Sequence, residues 1–329
     1  MVNKLKVAIY WAGGCGGCDI ALVEMGPHLL ELDAAADIVL WPAAMDGKYQ
    51  DVEALPDGAI DLCLFNGSVR TSEQEHLARL LRRKSKVLVA LGSCAHEGCI
   101  PGLANQMSAE EIMRRVYLEV PSMDNAAGTM PQTVTRVPEG EVTLPVFYDY
   151  VNTLAQTVPV DYTIPGCPPS AHQIWRALEL ALAGQLPELG STVGVYAKTV
   201  CDQCPRVRQG TKVKAFHRPH EIEMDPQRCF LEQGVICAGP ATRAGCNQLG
   251  KPPLCISAAM PCRGCYGAPE GVEDQGAKLA AAVASMVDSI DEAEIAKIVG
   301  GIADPVGTFY RFSLSSSMLR QAMAEERKR

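Results

Sequence analysis

No stretch of this 329-residue sequence approaches the roughly 20 consecutive apolar residues of a membrane span. The opening "MVNKLKVAIYWAGG" has lysines before an apolar run, but that run is short and meets no A-x-A cleavage site. No twin-arginine pair precedes it. The chain is therefore expected in the cytoplasm. Basic side chains are also scarce: 30 Lys and Arg face 38 Asp and Glu, for a net charge of −8. That balance argues against nucleic acid, whose binding rests on basic phosphate contacts, and offers nothing to an anionic membrane surface.

Other absences narrow the chemistry. No G-x-x-x-x-G-K-[ST] is present, and the "GGCGGC" run at residues 13–18 lacks a third glycine in G-x-G-x-x-G phase. A nucleotide site is not expected. No nucleophile–base motif, internal repeat or low-complexity tract stands out. The hydrophobic fraction of 47% and charged fraction of 21% are those of an ordinary globular protein long enough to bury a core.

What the chain has is cysteine: fourteen of them. A reduced compartment does not keep disulfides, so thiols in this number point to metal or redox work. The first half supplies a scaffold. "KLKVAIYWA" (4–12), "ADIVLWPAA" (36–44), "AIDLCLFNGSV" (59–69) and "KVLVALGSCA" (86–95) read as buried strands, separated by helices at 18–32 and 71–85. Continuous Val/Ile/Leu strands alternating with helices predict an α/β fold, a flavodoxin-like doubly wound parallel sheet. Residues 96–160 read as long loops with one helix near 108–118, and 160–184 as a last strand, a loop and a closing helix. The expected division is 1–188 for the flavodoxin-like domain, 189–272 for an irregular cysteine-rich domain, and 273–329 for a helical tail. Residues 198–270 carry little periodicity, and a segment that long is either disordered or organised by something other than peptide.

Cys15 and Cys18 form a C-x-x-C on the first strand-to-helix loop, while Cys94 and Cys167 follow later strands. Loops past the carboxyl ends of parallel strands share one edge, where α/β folds bind ligands. Four thiols on that rim predict a metal cluster. Eight more lie in the second half: Cys201, Cys204, Cys229, Cys237, Cys246, Cys255, Cys262 and Cys265. "CDQC" and "CRGC" suit either a tetrahedral zinc or an edge of an iron–sulfur cube. Cys63, inside a strand, reads as a small buried hydrophobe. Twelve being three sets of four, Cys99 reads as a bystander. "HRPH" (217–220) reads as a solvated loop and "RLLRRKSK" (79–86) as the wet face of a helix.

"GCGGCD", "LGSCA", "IPGCPP", "GPATRAGC" and "MPCRGCYG", in this order and spacing, resemble the small subunit of [NiFe] hydrogenases, in particular the cytoplasmic methyl-viologen-reducing type. The likeness covers residues 5–270, and "ADPVGTFYRFS" in the tail also fits. The resemblance implies three [4Fe–4S] clusters. A proximal one would be held by Cys15, Cys18, Cys94 and Cys167, and a distal one by Cys201, Cys204, Cys229 and Cys237. A medial one would be held by Cys246, Cys255, Cys262 and Cys265. Cys201 stands where many relatives have histidine. Cys255 stands where respiratory relatives have a proline and a [3Fe–4S] centre, so a [4Fe–4S] cluster of lower potential is implied. The resemblance further implies an electron relay with no H2 site of its own, the Ni–Fe centre belonging to a separate large subunit. It suggests a further iron–sulfur subunit and a heterodisulfide-reductase-type partner. Arg243 and Arg263 flank ligand positions and are candidates for stabilising reduced clusters, with salt bridging the alternative. Three other readings compete: a structural zinc-binding interaction module; the one-cluster quinone-oxidoreductase subunit of complex I type, which has adjacent cysteines in its first loop and no cysteine-rich second half; and a redox-active dithiol enzyme, whose lone C-x-x-C would not explain twelve grouped cysteines.

Overall fold

The strands of the first half alternate their side chains between two cores. In this computed structural model, which describes residues 4–320 and 323, the chain begins with β1 (Leu5–Trp11), α1 (Gly17–Val23), α2 (His28–Ala35), β2 (Ala36–Leu40), α3 (Tyr49–Ala54) and β3 (Ile60–Asn66). It continues through β4 (Val69–Thr71), α4 (Ser72–Lys84), β5 (Ser85–Leu91), α5 (Gly92–Glu97), α6 (Ala109–Arg114), β6 (Val134–Val137), β7 (Gly140–Thr143), β8 (Phe147–Asn152), β9 (Tyr162–Ile164) and α7 (Ala171–Leu182). Val7, Ile9, Leu62, Leu64, Val89 and Leu91 pack against α1, α2 and α7. Their neighbours Ala8, Tyr10, Cys63, Phe65, Leu88 and Ala90 face α3 and α4 on the other side. Both faces of the sheet are thus covered, which is why its strands are apolar throughout rather than alternating.

The five-stranded sheet runs β2-β1-β3-β5-β9, all parallel. Counted along the chain, this is the 2-1-3-4-5 order of flavodoxin-like sheets, with its switch point beside β1. The expected helix over 18–32 is two helices, because Gly26 turns with φ of +58° and Pro27 has no N–H to continue α1. The strand expected over 36–44 ends at Leu40, just before Trp41 and Pro42. The strand expected to reach residue 95 ends at Leu91: Gly92, with φ of +82°, turns the chain into α5, which carries Cys94. The basic stretch at 79–86 is not wholly solvated. Arg82 donates to Asp161 Oδ2 at 2.5 Å, and this link is half-buried. Lys84 reaches the Leu55 carbonyl.

The second half holds β10 (Tyr196–Thr199), β11 (Arg243–Ala244), α8 (Leu254–Ser257), α9 (Gln275–Ala284), α10 (Glu292–Gly300) and α11 (Pro305–Phe309). Between residues 200 and 270 the backbone is mostly irregular, with short 3₁₀ turns and the single β10–β11 pair among the described residues. The tail is not separate from it. Leu279 and Val283 of α9 and Ile298 of α10 share one core with Val200, Phe230, Val235, Cys237 and Cys262. The chain then returns to the first half: Cys99 N–H donates to the Phe312 carbonyl at 2.9 Å. Asn105 Nδ2 donates to Ser315 Oγ at 3.1 Å. The basic chain end lies largely outside the described residues. Among the described residues no helix is long and apolar enough to cross a membrane.

The two-core reading has a direct test. Leu64 is 1% exposed and Leu30 is 76% exposed. Leu64→Ala is expected to cost about 2–5 kcal/mol of unfolding free energy, and Leu30→Ala less than about 0.5 kcal/mol, read from urea unfolding of the anaerobic protein.

Candidate metal centres

The carboxyl edge of the sheet gathers the first group of thiols. After β1 the chain enters a glycine turn pinned by reciprocal backbone bonds between Gly13 and Ser68, 2.9 and 2.8 Å long. Cys15 and Cys18 open α1. Asp19, next in sequence, is buried; Trp41 Nε1 donates to its Oδ1 at 2.8 Å and Asn66 Nδ2 to its Oδ2 at 3.0 Å. Those bonds fix the C-x-x-C turn to the ends of β2 and β3. Asp19 is not among the residues that motif and spacing single out, although a carboxylate directly after C-x-x-C, in the first turn of a helix, is a legible anchor. Gly14, Gly16, Gly17, Gly67 and Gly166 join Cys15, Cys18, Cys94 and Cys167 around one small cavity. Glycine is required there: a Cβ on Gly92 would stand 2.4 Å from Cys18 Sγ.

The group has a fifth member. Cys99 is a bystander by counting, yet its Sγ lies 3.6 Å from Cys167 Sγ and it also faces Cys94. The turn after α5, with Cys99 at φ of +51°, folds its side chain back toward the rim. The Cys99 thiol donates to Cys167 and draws it down to about 7, while Cys99 itself is pushed up. Cys63, as expected, is fully buried in β3.

Cys201, Cys204, Cys229 and Cys237 line a second cavity of about 200 Å³. The "CDQC" turn is shaped by Asp202, whose Oδ2 accepts from Thr199 N–H and from its hydroxyl, both at 2.7 Å. Gly239 closes one wall, where a Cβ would come within 3.0 Å of Cys201 Sγ. Arg206 lies over the Phe230 ring, 3.7 Å from its centroid. Arg208 lines the same cavity and faces Cys201 and Cys229. Nothing in its spacing marks it in the sequence.

The remaining thiols lie between these two groups. Cys265 faces Cys255 and Cys246 of its own set and Cys167 of the rim. Cys262 faces Cys265 and Cys237, and its N–H donates to Cys237 Sγ at 3.3 Å. Ser93 of α5 donates to the Cys265 carbonyl at 2.5 Å, tying the rim to this loop. The thiols thus form a succession: rim, middle set, outer cavity.

Burial raises six of these thiols: Cys18, Cys201, Cys237, Cys246, Cys262 and Cys265. It pushes Cys237 and Cys265 up to about 12, because a thiolate is poorly solvated there. A buried thiolate set needs a compensating cation, which a metal group supplies. Among the described residues no three His, Cys, Asp or Glu side chains close on one metal ion. The four thiols of the outer cavity, an all-thiol donor set with Gly239 closing one wall, fit an iron–sulfur cube.

The flanking arginines divide. Arg243 lies near the carboxyls of Glu97 and Glu270, and burial disfavours its charge. Glu97 is fully buried and its carboxyl is pushed up to about 8. Arg263 opens instead onto a surface cavity shared with Arg311, His217 and His220.

Residues 15–181 match the family described as NADH ubiquinone oxidoreductase, 20 Kd subunit. Over nearly the whole chain the similarity is to hydrogenase subunits. The iron-sulfur subunit of the F420-non-reducing hydrogenase of Archaeoglobus profundus is 37% identical, covering 97% of this chain and 99% of that protein. A vhu subunit of the F420-non-reducing hydrogenase of Methanocaldococcus jannaschii is 36% identical, covering 96% and 97%. A [NiFeSe]-hydrogenase chain from Dm. baculatum shares the fold, with a TM-score of 0.52 at 18% identity, over 88% of this chain and 100% of that one. The quinone-oxidoreductase likeness covers the α/β half alone, whereas the hydrogenase likeness continues through the cysteine-rich half. The chain belongs to the [NiFe]-hydrogenase small-subunit family, of the type found in F420-non-reducing hydrogenases.

Proposed function

We propose that this chain is the electron relay of a cytoplasmic [NiFe] hydrogenase, carrying three [4Fe–4S] clusters. Cys15, Cys18, Cys94 and Cys167 hold the proximal cluster. Cys246, Cys255, Cys262 and Cys265 hold the medial one, and Cys201, Cys204, Cys229 and Cys237 the distal one. H2 is split at the Ni–Fe centre of a separate large subunit, and electrons leave to an iron–sulfur or flavin partner, in turn joined to a heterodisulfide-reductase-type complex. The division into a flavodoxin-like domain (1–188), a two-cluster domain (189–272) and a tail (273–329) follows the same reading.

The observation that carries it is the succession of thiols, with Cys265 facing Cys167 on one side and Cys262 donating to Cys237 on the other. Thiolate-held iron–sulfur cubes pass single electrons at potentials set by charge, hydrogen bonds to sulfur and exposure. The protein's own residues do the rest. Asp19 fixes the first ligand turn through Trp41 and Asn66. Glycines leave room for the cube. The irregular backbone of the second half takes its order from cluster ligation together with the core it shares with α9 and α10.

Cys15→Ser in the intact complex is expected to cut H2-dependent dye reduction at least about tenfold, and undiminished electron transfer would refute the proximal assignment. Gly92→Ala is expected to lower bound iron by about four per chain with the circular dichroism spectrum retained. Cys99→Ser is expected to leave iron content unchanged; loss of a cluster would show that the cysteines are partitioned differently.

A further inference from the structure

The three groups of thiols differ in the charges and donors around them. At the proximal group, Cys18 is surrounded by Cys15, Cys94 and Cys167 and by the Asp19 carboxylate. None of these is a cation, and the Cys99 thiol that donates to Cys167 is a neutral donor. At the medial group the donors are neutral: the Gly264 N–H and the Thr242 hydroxyl toward Cys262, and the Cys167 N–H toward Cys265. At the distal group two N–H groups, from Gly239 and Cys262, reach Cys237. A guanidinium is added to them: Arg208 lines the cavity and is directed at both Cys201 and Cys229. Arginine stays protonated at every working pH, so this charge is permanent.

A reduced cluster carries one more negative charge than its oxidised form, and cations and sulfur-directed donors favour it. We propose that Arg208 makes the distal cluster the highest-potential station of the relay, so that the chain's own electrostatics direct electrons from the proximal to the distal end. This rests on the cluster assignment above. Each transfer moves one electron. The upstream cluster is oxidised by one, the downstream cluster is reduced by one, and no bond or proton moves. H2 oxidised on the large subunit supplies the electrons, and the one-electron acceptor of the partner subunit removes them. Arg208 acts through its charge on the ligand sulfurs of the cavity it lines rather than on substrate, so it is a positioning residue for charge. Arg243, a candidate for this role by its place beside a ligand cysteine, lies instead near the carboxyls of Glu97 and Glu270.

The test is a redox titration followed by EPR on the anaerobically purified complex, for the native protein, Arg208→Gln and Arg208→Lys. In the native protein the distal signal is expected to reduce first and the proximal last. In Arg208→Gln, at a fixed poise, the distal reduced-to-oxidised ratio is expected to fall about tenfold, equivalent to about 59 mV for a one-electron couple. Arg208→Lys is expected to recover part of that shift, and the proximal signal to stay in place. An unmoved distal midpoint at full iron content, or a proximal cluster that reduces first, would overturn the inference and leave the cluster assignment standing. Absence of cluster signals from the native complex would instead overturn the assignment itself.

Discussion

Negative charge in a protein interior is costly, and this chain gathers a great deal of it. Thiols gather at the rim, in the middle loops and in the outer cavity, and burial above all raises Cys18, Cys201, Cys237 and Cys265 well above an ordinary thiol. As thiolates they are stable only with positive charge and donors supplied on the spot. In the proposed clusters iron would supply most of that charge, and the fold supplies the donors and the space. The glycine loop after β1 has the place of a phosphate cradle in other doubly wound sheets, but its room is used by sulfur. Gly92, Gly166 and Gly239 show the same requirement, since a side chain at any of them would collide with a thiol or with the turn that presents one.

The two halves of the molecule meet this constraint differently. The first half is a conventional layered domain whose sheet is buried between two continuous apolar cores. Its contribution is a rigid edge on which β1, β3, β5 and β9 end side by side. The second half has little regular structure between residues 200 and 270. Its apolar core takes in α9 and α10, so the tail is part of what holds the cysteine loops in place. The return of Phe312 and Ser315 onto the backbone and side chains of Cys99 and Asn105 closes the molecule around the proximal group.

Much of this was legible in the sequence. The β-strands of the sheet announced themselves as Val/Ile/Leu runs because both faces are buried, and C-x-x-C pairs announced the loops. What stayed hidden depends on backbone angles or on distance in space. Gly26–Pro27 splits one periodic helix into two, and a period alone does not register the break. Cys99 reads as surplus by counting, and only a turn with φ of +51° brings it against Cys167. Arg208 carries no motif; its importance comes from facing Cys201 and from Cys229, twenty-one positions further on, folding back beside it. The tail reads as a separate helical segment because its apolar stripe does not say which surface it covers.

The central claim is that the thiols hold iron–sulfur cubes and not single structural ions. The most direct measurement is iron, acid-labile sulfide and zinc per chain on anaerobically purified complex, with reduced-state EPR on the same sample. The account predicts about twelve iron and about twelve sulfide per chain, with signals of reduced cubes. About two or three zinc with no sulfide would contradict it and make the cysteine-rich half a structural metal module.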